Sequence, residues 1–429
     1  MDSTRAAAEK SKEAAYRISS LSIDERNEAL KAVAAQLVKR KATIVEANRK
    51  DLAESERSGL TAPLLKRLKY DEPKIEESVR SIEALIAQED PIGKVLSRME
   101  LDSGLILEKV SCPIGVIGVV FESRPDALVQ ISTLCVKSGN AVLLKGGSEA
   151  KNTNEALSLA IADALVMVDE CFENSVQNLS TREEFRALLQ LDGLVDLIIP
   201  RGSNELVRSI QASTKIPVLG HAAGICHTYV DSEADLDVAE KVAFDAKCQY
   251  PAVCNAMETL LVHEAVAKAF LPRMAEAYRK AGVELRGDQE ARNVIQAEPA
   301  TEEDWSTEYN DLVLSIKVVH DLGQAIDHIN RYGSHHTDAI ITTSEQKAKT
   351  FMDLVDSSSV MWNCSTRFAD GYRYGLGAEV GISTNKTHAR GPVGLEGLTI
   401  YKWKLTGKGH IVADYTGKNA REFTHRKLL

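Results

Sequence analysis

Cys254 ends a polar stretch, Lys247-Cys248-Gln249-Tyr250-Pro251-Ala252-Val253-Cys254, and an apolar run, Glu258-Thr259-Leu260-Leu261-Val262, follows it. The run reads as a strand, so the thiol sits on a loop at the mouth of an element. Its small neighbours Ala252 and Ala256 leave space for a ligand. A partly exposed thiol ringed by backbone N–H groups is where a cysteine nucleophile belongs. The same spacing also suits a cysteine that is only a small core residue. Two glycine-bearing turns could hold phosphate. Lys145-Gly146-Gly147-Ser148 puts a cation and small residues at a strand end, and Arg201-Gly202-Ser203 exposes N–H groups at a helix start. Each is also what an ordinary strand-to-helix turn looks like. The usual dinucleotide and P-loop glycine fingerprints do not occur, nor does Cys-x-x-Cys or His-Glu-x-x-His, so no metal site is expected.

Composition narrows the field. A chain of 429 residues suggests two or three domains, and 44% hydrophobic with 27% charged residues is ordinary for a soluble globular protein. No apolar run approaches membrane-spanning length, and the N-terminus carries no apolar signal region. A net charge of −10 argues against nucleic acid as a partner. Seven cysteines, an odd number, read as reduced thiols in a cytoplasmic protein.

The elements that must position these residues alternate. After helices over the first sixty residues, opened by a Ser22/Glu25 capping pattern, a hairpin is expected near 98–112 with its turn at Asp102–Gly104. Ile114–Val120 is a near-continuous apolar run, as in a parallel strand buried on both faces. Helix and strand then alternate through 141–144, 176–179, 195–199 and 216–219, which predicts an open α/β sheet with ligands at its carboxyl edge. A second α/β region follows Cys254, with strands near 259–262, 312–319, 339–342 and 360–362. Residues 285–311 read as a charged surface excursion. Residues 363–397, rich in Gly, Arg and His, form a long loop of the kind that carries function. The tail after Thr399 has strand character (Ile400, Trp403, Leu405) and is a candidate for pairing with another subunit.

Together these pieces resemble the aldehyde dehydrogenase superfamily. Pro113-Ile114-Gly115-Val116-Ile117-Gly118, Gly139-Asn140-Ala141-Val142-Leu143-Leu144-Lys145, Arg201-Gly202-Ser203 and Cys254 follow its order and spacing. Longer motifs match the branch that reduces gamma-glutamyl phosphate. They include Phe121-Glu122-Ser123-Arg124-Pro125-Asp126, Leu219-Gly220-His221-Ala222-Ala223-Gly224, Cys254-Asn255-Ala256-Met257-Glu258-Thr259, His335-His336-Thr337-Asp338, Asn363-Cys364-Ser365-Thr366-Arg367-Phe368-Ala369-Asp370 and Gly375-Leu376-Gly377-Ala378-Glu379. The resemblance implies an NAD(P)-binding open parallel sheet, an α/β catalytic domain and a small β oligomerisation element. It implies NADPH-dependent reduction of L-glutamyl 5-phosphate to L-glutamate 5-semialdehyde through a Cys254 thioester, with phosphate released, in proline biosynthesis.

Residue roles follow from the same resemblance. Lys145 reaches the adenosine ribose of NADPH, and Ser148 leaves room for its 2′-phosphate. Gly202 and Ser203 face the pyrophosphate and nicotinamide end. Glu308 holds the nicotinamide ribose, or is a surface acid. Ser123 and Arg124 replace the usual Asn-Phe-Pro oxyanion turn. His221-Ala222-Ala223-Gly224 stands where hydrolytic relatives place a water-activating Glu, which suits phosphate rather than water as the acyl partner. Arg124 and Arg367 are the candidates for the substrate's anions and Asp370 for its ammonium, unless Arg367 and Asp370 only pair with each other. His221, Asn255 and His336 line the substrate pocket.

The expected division is 1–97 with 113–250 for NADP, 251–396 for catalysis, and 98–112 with 397–429 for assembly into a homodimer or homotetramer. A separate glutamate 5-kinase would supply the acyl phosphate, in a transient complex. The rival expectations are a hydrolytic NAD(P)-dependent aldehyde dehydrogenase and a non-catalytic scaffold for that kinase.

Overall fold

The computed structural model describes residues 2–122, 124–221 and 223–429. Strands β1 (Val95–Asp102) and β2 (Leu105–Pro113) form the expected hairpin, turning at Ser103–Gly104. The first parallel sheet holds β3 (Val116–Phe121), β4 (Ala141–Lys145), β5 (Val176–Asn178) and β6 (Leu197–Arg201), in the order β5-β4-β3-β6. Every residue of β3 and β4 is buried, which is why β3, and β4 as far as Leu144, read as unbroken apolar runs. The first helix (Asp2–Ile18) packs on this sheet, and the next helices pack on those beside it, their Leu30, Val33, Leu37 and Ile82 joining the same core. The Ser22/Glu25 capping box is formed. Residues 216–219, expected as a strand, make only one bridge, Val218 to Ile198.

The second sheet is also parallel. It holds β7 (Cys226–Val230), β8 (Met257–His263), β9 (Glu284–Gly287), β10 (Glu298–Pro299), β11 (Val313–Val319), β12 (Thr337–Ile341) and β13 (Ser359–Trp362), in the order β10-β9-β11-β8-β7-β12-β13. Its first strand lies ahead of the division expected at residue 251. The stretch 285–311 is more ordered than expected. It supplies β10, and it buries Trp305 and Asp304. The Asp304 carboxylate accepts from Thr301 N–H at 2.7 Å, from Arg286 Nη1 at 2.7 Å and from Tyr309 Oη at 2.7 Å.

The long loop after β13 contains a short ribbon, β14 (Gly381–Ser383) with β15 (Gly391–Val393). The chain then returns to the hairpin. Strand β16 (Thr399–Thr406) pairs with β2, and β17 (Arg426–Lys427) pairs with β1, giving the order β16-β2-β1-β17. The tail therefore completes a sheet within its own chain. Tyr401, Trp403 and Leu405 remain exposed on it, with Lys109 Nζ 3.7 Å from the Tyr401 ring centroid.

Candidate active site

Two sheet edges face each other across a cavity of ≈ 570 Å³. The first sheet offers carboxyl ends. Lys145 closes β4 beside Val120, and Arg201 closes β6 beside Phe121. The second offers amino ends. Gly224 precedes β7, Cys254 precedes β8 and His336 precedes β12. Glu122, Arg124, Arg201, His221, Cys254 and Glu379 all line the cavity.

The nucleophile loop is held from several sides. A Cβ on Gly224 would stand 2.3 Å from Cys254 O and 2.4 Å from its Cα, so only glycine permits this approach. Asn255 Nδ2 donates to Ala369 O at 2.9 Å, and Thr366 Oγ1 donates to Asn255 O at 2.7 Å. Cys226 Sγ donates to Cys254 O at 3.2 Å. Beneath the loop, Lys247 Nζ meets Glu258 Oε2, and Asn310 N–H donates to Glu258 Oε1 at 3.2 Å. Asn310 sits at φ 55, a left-handed turn that asparagine tolerates.

Burial pushes the Cys254 thiol up to about 12; the Glu308 and Glu379 carboxylates add to the rise, and Arg367 opposes it. The resting group is a thiol, and it needs a base. Two imidazoles stand beside it. His221 Nδ1 lies 3.0 Å from Ile382 O. A carbonyl only accepts, so Nδ1 carries the hydrogen and Nε2 keeps its lone pair. His336 Nδ1 lies 2.9 Å from Thr337 Oγ1, and its Nε2 is buried with no partner. The two rings meet edge to face at 5.1 Å. One nitrogen of each ring and Cys254 Sγ all lie within 4.8 Å of one another. Burial lowers the pKa of both histidines, which keeps them neutral.

The cations are arranged less simply than expected. Arg124 Nη2 is 2.8 Å from Asp126 Oδ2 on the half-exposed cavity rim. Arg367 donates from Nε to Gln249 Oε1 at 3.0 Å, while Asp370 Oδ2 lies 3.6 Å from Arg373, so the Arg367–Asp370 pair is not formed. Asp370 Oδ1 also accepts from Tyr372 N–H at 3.1 Å and Arg373 N–H at 3.2 Å, which caps the loop. Ser123 lies outside the described residues. Arg201, read in the sequence only as part of a turn, has Nη1 buried without a partner inside the cavity wall.

At the other end, Lys145 is buried and donates to Gly146 O, and Ser148 is exposed on the short turn after β4. Neither lines the cavity. Gly202 and Ser203 do, at the start of the helix Asn204–Ser213. The Glu122 carboxyl, its pKa raised by burial, already accepts the Ser203 backbone N–H, so that donor is taken. Glu308 is no free surface acid, since its Oε2 accepts from Asn204 Nδ2 at 2.6 Å beside that turn. An orphaned guanidinium nitrogen suits an anionic group, and the Glu308 carboxylate beside that turn offers acceptors for the hydroxyls of a ribose.

The family model for the aldehyde dehydrogenase family matches residues 2–304. The chain belongs to the aldehyde dehydrogenase family. Within that family it is 59% identical over 417 residues to a gamma-glutamyl phosphate reductase of Pelotomaculum thermopropionicum, covering 97% of this chain and 96% of the relative. A gamma-glutamyl phosphate reductase of Methanosarcina mazei is 56% identical over 429 residues, covering 98% and 96%. The crystal structure of the gamma-glutamyl phosphate reductase of Thermotoga maritima superposes with a TM-score of 0.93 at 41% identity, covering 95% of this chain and 99% of that one. The resemblance read from the motifs is borne out, and so is the aldehyde-dehydrogenase-like fold.

Sequence reasoning missed Arg201 as a cavity cation, Glu379 as a cavity acid, and the Lys247–Glu258 pair. The last left a signal, since Glu258 is a charged residue inside an otherwise apolar strand, and a buried charge needs a partner.

Proposed function

We propose that this chain reduces L-glutamyl 5-phosphate to L-glutamate 5-semialdehyde with release of phosphate, in proline biosynthesis, using NADPH. The observation that carries the chemistry is the Cys254 thiol beside the His221 imidazole, in a cavity walled by Arg124 and Arg201. The names of the relatives support the substrate.

His221 Nε2 takes the Cys254 proton, and Sγ attacks the acyl carbon. The carbon–oxygen bond to phosphate breaks as the carbon–sulfur bond forms, and the departing phosphate takes from solvent the one proton that the net reduction consumes. Arg201, with Arg124, meets the leaving phosphate through charge-assisted hydrogen bonds. The Cys254 backbone N–H stabilises the oxyanion. A nicotinamide cofactor supplies the hydride that takes the thioester to the aldehyde level. Its adenosine end would rest on Lys145 and Ser148, its pyrophosphate on Gly202 and Ser203, and its nicotinamide ribose on Glu308. As the aldehyde leaves, His221 returns the proton to Cys254. Arg367 takes the substrate's α-carboxylate and Asp370 its ammonium, while Asn255 and His336 shape the pocket. A separate glutamate 5-kinase supplies the acyl phosphate. The exposed Tyr401, Trp403 and Leu405 suit assembly into a homodimer or homotetramer.

The test is the reverse reaction: glutamate 5-semialdehyde with NADP⁺, with and without inorganic phosphate, for the native chain and Cys254→Ala. Phosphate-dependent NADPH formation, lost in the variant, is expected. Turnover indifferent to phosphate would mean that water resolves the thioester and would overturn the proposal.

A further inference from the structure

We propose that Cys254, His221 and His336 form a zinc site, and that a Zn²⁺ ion seated there holds the enzyme silent. Two imidazoles and a thiolate are a preferred donor set for zinc. One donor atom from each lies within 4.8 Å of the others. Zinc bonds of about 2.0–2.3 Å place tetrahedral ligand atoms roughly 3.4–3.6 Å apart. Small side-chain rotations close that gap.

The surroundings of the histidines independently point to a cation. His221 Nδ1–H is spent on Ile382 O at 3.0 Å, which aligns the ring and leaves Nε2 as the donor. Metal-bound histidines characteristically give their other N–H to such a carbonyl. His336 is fully buried, its Nδ1 is 2.9 Å from Thr337 Oγ1, and its Nε2 has no partner. His227 and His328 also leave a buried Nε2 unpartnered, but only His336 does so beside a thiol and a second imidazole, where a metal bond would satisfy it. The three ligands come from loops ahead of β7, β8 and β12, so no short-range spacing marks them in the sequence. With three protein ligands, the fourth position is left to water from the cavity.

Binding breaks the Cys254 S–H bond and forms an S–Zn bond. The proton passes to solvent and no electron is transferred. Affinity therefore rises about tenfold per pH unit while the free thiol stays protonated. The bound sulfur cannot attack an acyl group, and His221 Nε2 cannot take its proton. Zinc binding does not depend on which acyl substrate the thiol uses, so the two proposals can fail separately.

The experiment measures Zn²⁺ binding by equilibrium dialysis, uses Co²⁺ as a spectroscopic probe, and follows alkylation of Cys254 by iodoacetamide. The expected results are one ion per chain, intense tetrahedral cobalt bands with a thiolate charge-transfer feature, and protection of Cys254 that a chelator reverses. Cys254→Ser, His221→Asn and His336→Asn should each weaken Zn²⁺ binding at least about tenfold, the least that losing even an outer partner does. Cys112→Ser, on β2, should leave it unchanged. Should His336→Asn fail to fold, Cys254→Ser and His221→Asn decide the matter. Unaltered Zn²⁺ affinity in Cys254→Ser, or only weak octahedral-type cobalt bands, would overturn the proposal.

Discussion

Lys247 Nζ and Glu258 Oε2 stand 2.6 Å apart with no solvent access to either side chain, and the loop between these residues carries Cys254. Burial pushes the Glu258 carboxyl up to about 7, against the pull of Lys247. Glu258 also accepts from Asn310 N–H, which ties the nucleophile loop to the segment bearing Glu308. Removing one partner leaves an uncompensated buried group. Lys247→Met alone should therefore lower unfolding free energy by about 3–5 kcal/mol in urea titrations. The double variant Lys247→Met with Glu258→Leu should recover much of that loss. A single variant as stable as the native chain would show that the pair does not hold the loop.

The free thiol should behave as a weak acid. Its pKa is raised first by burial and then by Glu308 and Glu379. The rate of Cys254 alkylation by iodoacetamide should climb with pH through the neutral range without levelling off. Glu379→Gln removes a negative neighbour, so it should lower the thiol pKa. It should speed alkylation at neutral pH by up to about tenfold, one pKa unit. A plateau near pH 7 in the native chain would contradict this account.

Arg201 separates activity from stability. Its Nη1 is buried without a partner, so the folded chain gains little from that charge. Arg201→Met should cut kcat/KM by about a hundredfold, the loss of a strong charge-assisted contact of ~3 kcal/mol. Its urea midpoint should match or exceed that of the native chain. An unstable Arg201→Met with normal turnover would reverse the assignment.

Gly224→Ala forces a methyl group into the backbone of Cys254. Turnover should fall to near background while circular dichroism stays native. Near-native kinetics would mean that the loop yields easily.

Acid should unfold the chain partly through Asp304. Burial alone would raise its carboxyl, but the Thr301 N–H and the Arg286 guanidinium hold it well below its ordinary value of 3.8. A depressed folded pKa gives stability that is present above the unfolded value and lost as pH falls toward the folded one. Asp304→Asn should flatten the stability profile below about pH 4, where an ordinary aspartate titrates. An unchanged acid slope would rule Asp304 out as its source.

The first sheet was legible because β3 is apolar throughout and β4 is apolar up to Lys145, so burial on both faces shows directly in residue type. β7 was not legible. It carries His227 and Thr228 in a fully buried strand. His227 Nδ1 is paired with Asp338 Oδ1 at 2.8 Å, a residue far off in sequence, while His227 Nε2 and Thr228 Oγ1 are buried unpartnered. The same cause hid the order in 285–311, where the acids that suggested a surface include Asp304, which is satisfied internally. Cys254, His221 and His336 were found through their motifs. What the motifs could not reveal was that one ring nitrogen of His336 is left bare and that Arg201 turns its charge into the cavity. Both depend on which hydrogen bonds the fold withholds.

The pairing of β2 with β16 joins Pro113 to Thr399, the two ends of the stretch that carries both larger sheets. Contacts so distant along the polypeptide are slow to close, because both larger sheets must first bring their ends together. Time-resolved refolding should therefore show the small sheet arriving last. Until then the apolar side chains along β16 have no strand beside them, and chains at high concentration can exchange that strand before each has closed its own.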